Sequence, residues 1–291
     1  MDGKLPAAGP APRRKLAGRL RLAPAALLFA LFFAAPLGYF FVVSFWKVRL
    51  FKLLPGLSLD NYTNAYDDYL GPLVFTFVIA LAIATLTTLL AFCFAYLIRF
   101  RAGRFGPALL FVTLITMFGG YLVKIYAWKS ILGKFGIMNT GLMGLGIIDE
   151  PILWLLYNPG AVVVTLTHFL IPFAVLPIYG SLRAIEDTPI EAARDLGAGS
   201  WRVLVDIVLP QCQPGLLVGF ALAFLISAGD YVTPRLVGGP YTSMVGNFVE
   251  SQFIMRLNAP QGSALAFTIL AACLLAVAAI RFAMRAALRP R

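Results

Sequence analysis

Six windows of this chain run long and nearly free of charge: residues 22–46, 72–98, 107–128, 160–182, 214–233 and 261–280. At about 1.5 Å per residue, a helix of each length crosses a hydrocarbon core of roughly 30 Å. Within lipid every backbone polar group must be satisfied inside the chain, so such windows are expected to be helical. The expected fold is an all-α integral membrane protein with six transmembrane helices in one bundle, residues 22–291, behind a tail of residues 1–21. Composition agrees: 60% of the residues are hydrophobic and 13% charged, against about a quarter charged in soluble domains. The first window follows Arg13, Arg14, Lys15, Arg19 and Arg21, as in a signal peptide, but it carries no charge from Leu22 to Trp46. A cleaved apolar region spans only about 7 to 15 residues, so the window reads as a retained helix.

The placement of lysine and arginine sets the expected orientation through the positive-inside rule. With the N-terminus inside, the inner segments hold Lys4, Arg13, Arg14, Lys15, Arg19, Arg21, Arg99, Arg101, Arg104, Arg183, Arg194, Arg202, Arg281, Arg285, Arg289 and Arg291, which is 16 of the 24 basic residues. Both termini are thus expected in the cytoplasm. This topology accounts for the formal charge of +11, so no nucleic-acid partner is inferred. Cys93, Cys212 and Cys273 lie in or beside apolar windows and imply no disulfide framework.

One polar stretch interrupts the apolar pattern. Residues 184–213 join the fourth and fifth windows on the expected inner face. Thr188-Pro189-Ile190-Glu191 reads as a helix start, with Thr188 as N-cap, Pro189 at the first helical position and Glu191 completing a capping box. Gly197 and Gly199 are expected to stop that helix, and a second short helix, Trp201 to Leu209, to end at Pro210. The acids Glu186, Asp187, Glu191, Asp195 and Asp206 outnumber the nearby Arg183, Arg194 and Arg202, which argues against a lipid-binding basic helix and for a protein partner.

These residues carry a resemblance. Glu191-Ala192-Ala193, three residues, Gly197, nine residues, Ile207, one residue, then Leu209-Pro210 is similar to the coupling loop in the inner-membrane permeases of binding-protein-dependent ABC importers. Ser58-Leu59-Asp60-Asn61-Tyr62, and Gly229-Asp230-Tyr231-Val232-Thr233-Pro234-Arg235-Leu236-Val237-Gly238-Gly239, resemble segments in the spermidine/putrescine permease group of that family. The resemblance covers the chain from about residue 22 onward. It implies a type I importer permease fold in a bacterial inner membrane. It also implies a second, homologous permease chain, two cytoplasmic ATPase subunits that use ATP and Mg, and an extracytoplasmic substrate-binding protein. The loop residues Thr188, Pro189, Glu191, Ala192, Ala193, Asp195, Gly197, Ile207, Leu209 and Pro210 would then form the ATPase-coupling element. The implied cargo is a small cation such as putrescine or spermidine. The group also includes permeases for amino-acid derivatives and opine-like compounds.

What the chain lacks fits a transport subunit. There is no G-x-x-x-x-G-K-[ST] loop, since Gly133-Lys134 is followed by Phe135, so nucleotide hydrolysis is expected from another chain. No H-E-x-x-H or G-x-S-x-G occurs, and no catalytic or metal-ligand cluster is expected. A rival reading, an ATP-independent secondary transporter or channel, has no use for the capped inner loop. Ionisable groups near spans usually face a cavity or a partner. Asp230, with Tyr231 and Glu250, is the candidate outer vestibule for a cationic cargo. Arg235 is the alternative partner of Asp230, and His168 is a weaker pathway candidate. Pro172 and Pro177 are expected to bend the fourth helix. Gly215 and Gly219 form a G-x-x-x-G for close packing, either within the chain or against the second permease, and Trp46, Trp128 and Trp154 fit interfacial belts.

Overall fold

The structure, a computed structural model, describes residues 23–50 and 52–287. The expected tail, residues 1–21, and the basic residues Arg289 and Arg291 lie outside the described residues. Helix α1, Ala23–Val43, is followed by a small antiparallel hairpin of β1 (Lys47–Arg49) and β2 (Lys52–Leu54), with Lys47 opposite Leu54. Then come α2 (Asp60–Phe100), α3 (Gly106–Phe118), α4 (Tyr121–Leu132), α5 (Ile137–Gly144), α6 (Pro159–Arg183), α7 (Asp187–Asp195), α8 (Ser200–Ala228), α9 (Val245–Ile254) and α10 (Ala259–Ala287).

Five of these helices are long and apolar enough to span a membrane, and the bent pair covering residues 103–144 supplies a sixth crossing if counted as one. The third expected span is therefore corrected: it breaks at Gly119-Gly120 with a bend of 97°. Both glycines take extended backbone, with ψ of 122° and 136°. The third window was apolar across the break, so hydropathy carried no sign of the bend.

The second span is also longer than its apolar window. Helix α2 has 41 residues, about 60 Å at the usual rise and twice the hydrocarbon thickness. Its first three turns are polar, and they are held by specific bonds. The Asn61 amide donates to the carbonyls of Ser44 and Trp46, both at 2.8 Å, fastening α2 to the end of α1. Gln252 donates to the Tyr69 hydroxyl at 2.7 Å, and Gln261 to the carbonyl of Asn61 at 3.1 Å, tying the same turns to α9 and α10. The Ser58–Tyr62 segment is thus a junction of three helices.

Further along α2, Thr76, Ala80, Ala84, Thr87, Ala91 and Ala95 are all buried. Their spacing puts them on one stripe of the helix, and small residues there let neighbouring backbones come close. Against that stripe pack Leu166 and Leu170 of α6 with Phe220 and Phe224 of α8 in one layer, and Ala174, Val175 and Ile178 of α6 with Cys212 of α8 in the next. The α6 and α8 backbones meet at the glycines: a Cβ on Gly215 would stand 2.5 Å from the Pro177 carbonyl, and one on Gly219 would stand 3.3 Å from that of Ala174. The G-x-x-x-G pair therefore serves packing within the chain. Helix α6 runs unbroken through Pro172 and Pro177.

Two π turns answer to prolines. Residues Ala30–Ala34 precede Pro36, and Leu204–Val208 precede Pro210. A proline ring clashes with the carbonyl four residues back and offers no N–H, and a widened turn just before it relieves both. The expected stop at Pro210 is corrected on this ground: α8 passes through Pro210 and Pro214 as one helix of 29 residues. Trp128 packs partly buried on the core, while Trp154 is exposed.

Candidate functional site

At one end of the bundle, the ends of α2 and α6 and the start of α8 surround α7. The helix begins two residues earlier than the capping box requires: Glu186 holds the N-cap position with no side-chain cap bond, so Thr188, Pro189 and Glu191 lie inside the helix. Proline is tolerated there because the first N–H groups of a helix have no intrahelical partner. No side chain caps that end; the acid Asp187 in the first turn meets the helix's positive end and is itself held from another span. Arg99 of α2 donates to the Asp187 carboxylate at 2.7 Å and to the Ile185 carbonyl at 3.4 Å.

Only Ile190 of α7 is buried, and it packs with Ile185, Leu182, Val203 and Val208. The other face, with Thr188, Pro189, Glu191, Ala192 and Asp195, is open. Helix α7 ends in a paired bond pattern. The Ala198 N–H donates to the Ala193 carbonyl and the Gly197 N–H to that of Arg194, both at 2.9 Å, around Gly197 at φ +85°. This is the left-handed closure that glycine makes without strain. On either side of Gly197, Leu196 is 90% exposed and Trp201 75%, apolar side chains left beside an acidic helix. Ile207, Leu209 and Pro210 lie in α8, half-buried, with Ile207 packed against the same core as Ile190. The sequence pattern thus has two parts, an exposed helix and the stretch that seats it.

At the opposite end, Asp230 follows the last turn of α8. It is 8% exposed. One carboxylate oxygen accepts from the Tyr121 hydroxyl at 2.6 Å and from the Val232 N–H at 3.0 Å; Tyr121 also meets the Thr233 hydroxyl at 2.8 Å. The second oxygen, Oδ2, is buried without a hydrogen-bond partner. Tyr121 went unnoticed in the sequence. It reaches Asp230 because the break at Gly119-Gly120 turns α4 across the bundle, and the glycine pair before an aromatic residue is the signal that marks it.

Asp230, Tyr231 and Glu250 do not share one surface as expected. Tyr231 and Glu250 line a groove of about 560 Å³ between α8, α9 and α10, otherwise walled by apolar residues such as Leu225, Phe253 and Cys273. Asp230 turns inward from it. Arg235 pairs with Glu250 at 2.8 Å, so the cation considered for Asp230 serves Glu250 instead. His168 lies exposed on α6, edge-on to Trp128 with ring centroids 5.6 Å apart, and does not line the groove. Its neighbour Phe169 packs tilted against Tyr121, ring centroids 4.8 Å apart. The arrangement offers carboxylates and aromatic faces, groups that attract cations, and no nucleophile-base pair.

Residues 100–291 match the family described as binding-protein-dependent transport system inner membrane component. The chain is 34% identical over 224 residues to the spermidine/putrescine transport system permease protein PotB of Haemophilus influenzae, covering 76% of this chain and 78% of that protein. It is 35% identical over 214 residues to PotB of Escherichia coli, covering 73% and 77%. PotC of Escherichia coli is 26% identical over 229 residues, covering 79% and 77%. Among solved structures, a bacterial ABC transporter involved in the import of the acidic polysaccharide alginate matches with a TM-score of 0.69 and 14% identity over 94% of this chain and 96% of that one; this likeness shows the fold.

Proposed function

The chain belongs to the family of binding-protein-dependent transport system inner membrane components, and from that premise we propose that it carries a small polyamine, putrescine or spermidine, across the inner membrane. It is the permease subunit of an ABC importer, a multi-pass inner-membrane protein and not an enzyme. The cargo reading rests on the relatives of the PotB type and on the carboxylate and aromatic groups that Glu250 and Tyr231 supply in an otherwise apolar groove.

The observation that carries the mechanism is α7. It is a short helix with one buried side chain, Ile190, a salt bridge to a long span, and an open face of Glu191, Ala192 and Asp195. Such an element moves as a unit when its open face is gripped. An ATPase pair with bound ATP and Mg closes on this helix and on its counterpart in a second, homologous permease chain. The closure passes through Arg99 to α2 and through the Ile190 packing to α6 and α8, the three helices that form the core. The far end then opens to accept cargo from an extracytoplasmic binding protein, which fixes the specificity. In this reading α7 and both termini face the cytoplasm.

The test is uptake of labelled putrescine into proteoliposomes holding the assembled permease pair and ATPase. Accumulation is expected to require internal or external ATP on the α7 side together with the loaded binding protein. Accumulation without ATP would replace this reading with an ATP-independent carrier. ATP hydrolysis stimulated by the binding protein with no accumulation of labelled putrescine or spermidine would keep the importer and remove the polyamine.

A further inference from the structure

We propose that the cavity between Arg99 and Arg183 binds the phosphate headgroup of an anionic phospholipid. The cavity, about 370 Å³, opens where α2 ends, α3 begins and α6 ends. That volume falls within the roughly 300–1,000 Å³ of small-molecule sites. Its lining holds two guanidinium groups, the Tyr179 side chain and the backbone of Gly103 and Gly106, and no carboxylate. Arginine offers a planar fork of donors that matches phosphate oxygens. Arg99 commits one terminal nitrogen, Nη2, to Asp187 and the Ile185 carbonyl. Arg183 makes no ion pair among the described residues.

The surroundings favour a lipid over a free anion. Gly106 starts a helix of 13 residues that runs away from the cavity along the bundle. On that helix Phe111 is 63% exposed, Val112 58% and Ile115 52%, and Phe105 just before it is 59% exposed. An acyl chain whose headgroup sits at the arginines lies along this flank. Arg101 and Arg104 stand exposed on the same turn and add to the positive field. Basic pockets between spans at the inner face are where anionic headgroups bind.

The site has a consequence for α7, because Arg99 belongs to both. A phosphate in the cavity holds the guanidinium from one side while Asp187 holds it from the other, so lipid occupancy steadies the link between α2 and α7.

The experiment uses the assembled permease pair with its ATPase in nanodiscs of phosphatidylcholine with or without phosphatidylglycerol. Native mass spectrometry counts retained phosphatidylglycerol on the wild type, on Arg183→Gln, and on Arg281→Gln as a basic position outside the cavity. R183Q is expected to retain phosphatidylglycerol roughly fivefold less well, the factor that one basic side chain near an anionic surface contributes, and R281Q to match the wild type. Equal retention by R183Q and the wild type overturns the site. Protection of Arg99 and Arg183 from phenylglyoxal by inorganic phosphate but not by phosphatidylglycerol also overturns it, since the cavity then takes a free anion. Should R183Q fail to assemble, the wild type alone decides: phosphatidylglycerol is expected to protect Arg99 and Arg183 from phenylglyoxal, and equal labelling in both nanodiscs overturns the proposal.

Discussion

Arg99 and Asp187 stand 88 residues apart in the chain, yet their side chains meet at 2.7 Å where the longest span meets the shortest exposed helix of the loop. Asp187 is 61% exposed on its side chain and Arg99 24%. A pair this open contributes about 0.2–1 kcal/mol, too little to hold the bundle but enough to set how often α7 leaves its seat. Asp187→Asn is therefore expected to leave thermal unfolding nearly unchanged while amide exchange across residues 187–199 rises by up to about fivefold, the factor worth 1 kcal/mol. Salt near 1 M, which screens the pair within about 3 Å, should raise exchange in the wild type and not in D187N. Equal exchange in both proteins at low salt would mean that the pair does not hold the helix.

Gly197 and Gly199 make a matched comparison. Neither has an atom within 4 Å of where a Cβ would stand, but only Gly197 has φ at +85°. Gly197→Val is thus a purely conformational insult of at least about 1–2 kcal/mol, undoing the bonds from Ala198 and Gly197 that close α7. Gly199→Ala is expected to behave as the wild type. With the bundle intact, G197V is expected to keep ATP hydrolysis while putrescine uptake falls roughly tenfold, as a misplaced contact of about 1.4 kcal/mol brings. Wild-type uptake by G197V would remove α7 as the point where ATP-driven motion enters.

The parts of the fold legible in the sequence were those that periodicity and hydropathy record. The fourth window matches α6 almost end to end, and the glycine stop of α7 followed from residue type. Three features escaped for physical reasons. Residues 60–71 are polar, so hydropathy began the second span late; Tyr69 and Asn61 are held there by Gln252 and Gln261, far away in sequence. The bend at Gly119-Gly120 lies within an apolar run, where the glycines weigh little. The expected cap at Thr188 was locally sound, but the helix starts two residues earlier, where Asp187 is held by Arg99 from another span. The same limit applied to Asp230: its place near the end of α8 was legible, its partner Tyr121 was not.

The contact between α6 and α8 predicts a graded response at two glycines one helical turn apart. A methyl group at Gly215 meets the Pro177 carbonyl and the Ser181 hydroxyl at 2.5 Å, and neither belongs to a side chain long enough to swing away. At Gly219 the nearest atoms are the flexible tip of Ile178 at 3.2 Å and the Ala174 carbonyl at 3.3 Å. Overpacking of a closed core costs about 1–3 kcal/mol, so Gly215→Ala is expected to lower the unfolding temperature of the purified complex clearly. Gly219→Ala should shift it little. A reversed order in a thermal unfolding assay would show that the two helices do not meet as described.

Asp230 carries a buried charge that its own surroundings only half satisfy, and substitution separates the two reasons such a group persists. One oxygen accepts from Tyr121 and the Val232 N–H, while Oδ2 has no partner. Asp230→Asn keeps the shape and the accepting oxygen and removes the charge, so unfolding is expected at the same or a higher temperature, because an incompletely paired buried charge costs more than a neutral amide. Tyr121→Phe does the opposite: it leaves the carboxylate and takes its hydroxyl donor, a loss of about 1–3 kcal/mol for a buried group left unsatisfied. The double variant is expected to recover the stability that Y121F loses. Uptake should not follow stability. If the carboxylate meets an amine of the cargo as the bundle opens, D230N and the double variant both lose putrescine uptake roughly tenfold while folding normally, and Y121F, corrected for the amount of folded complex, retains most of it. Full uptake by D230N would confine Asp230 to holding α4 against the end of α8.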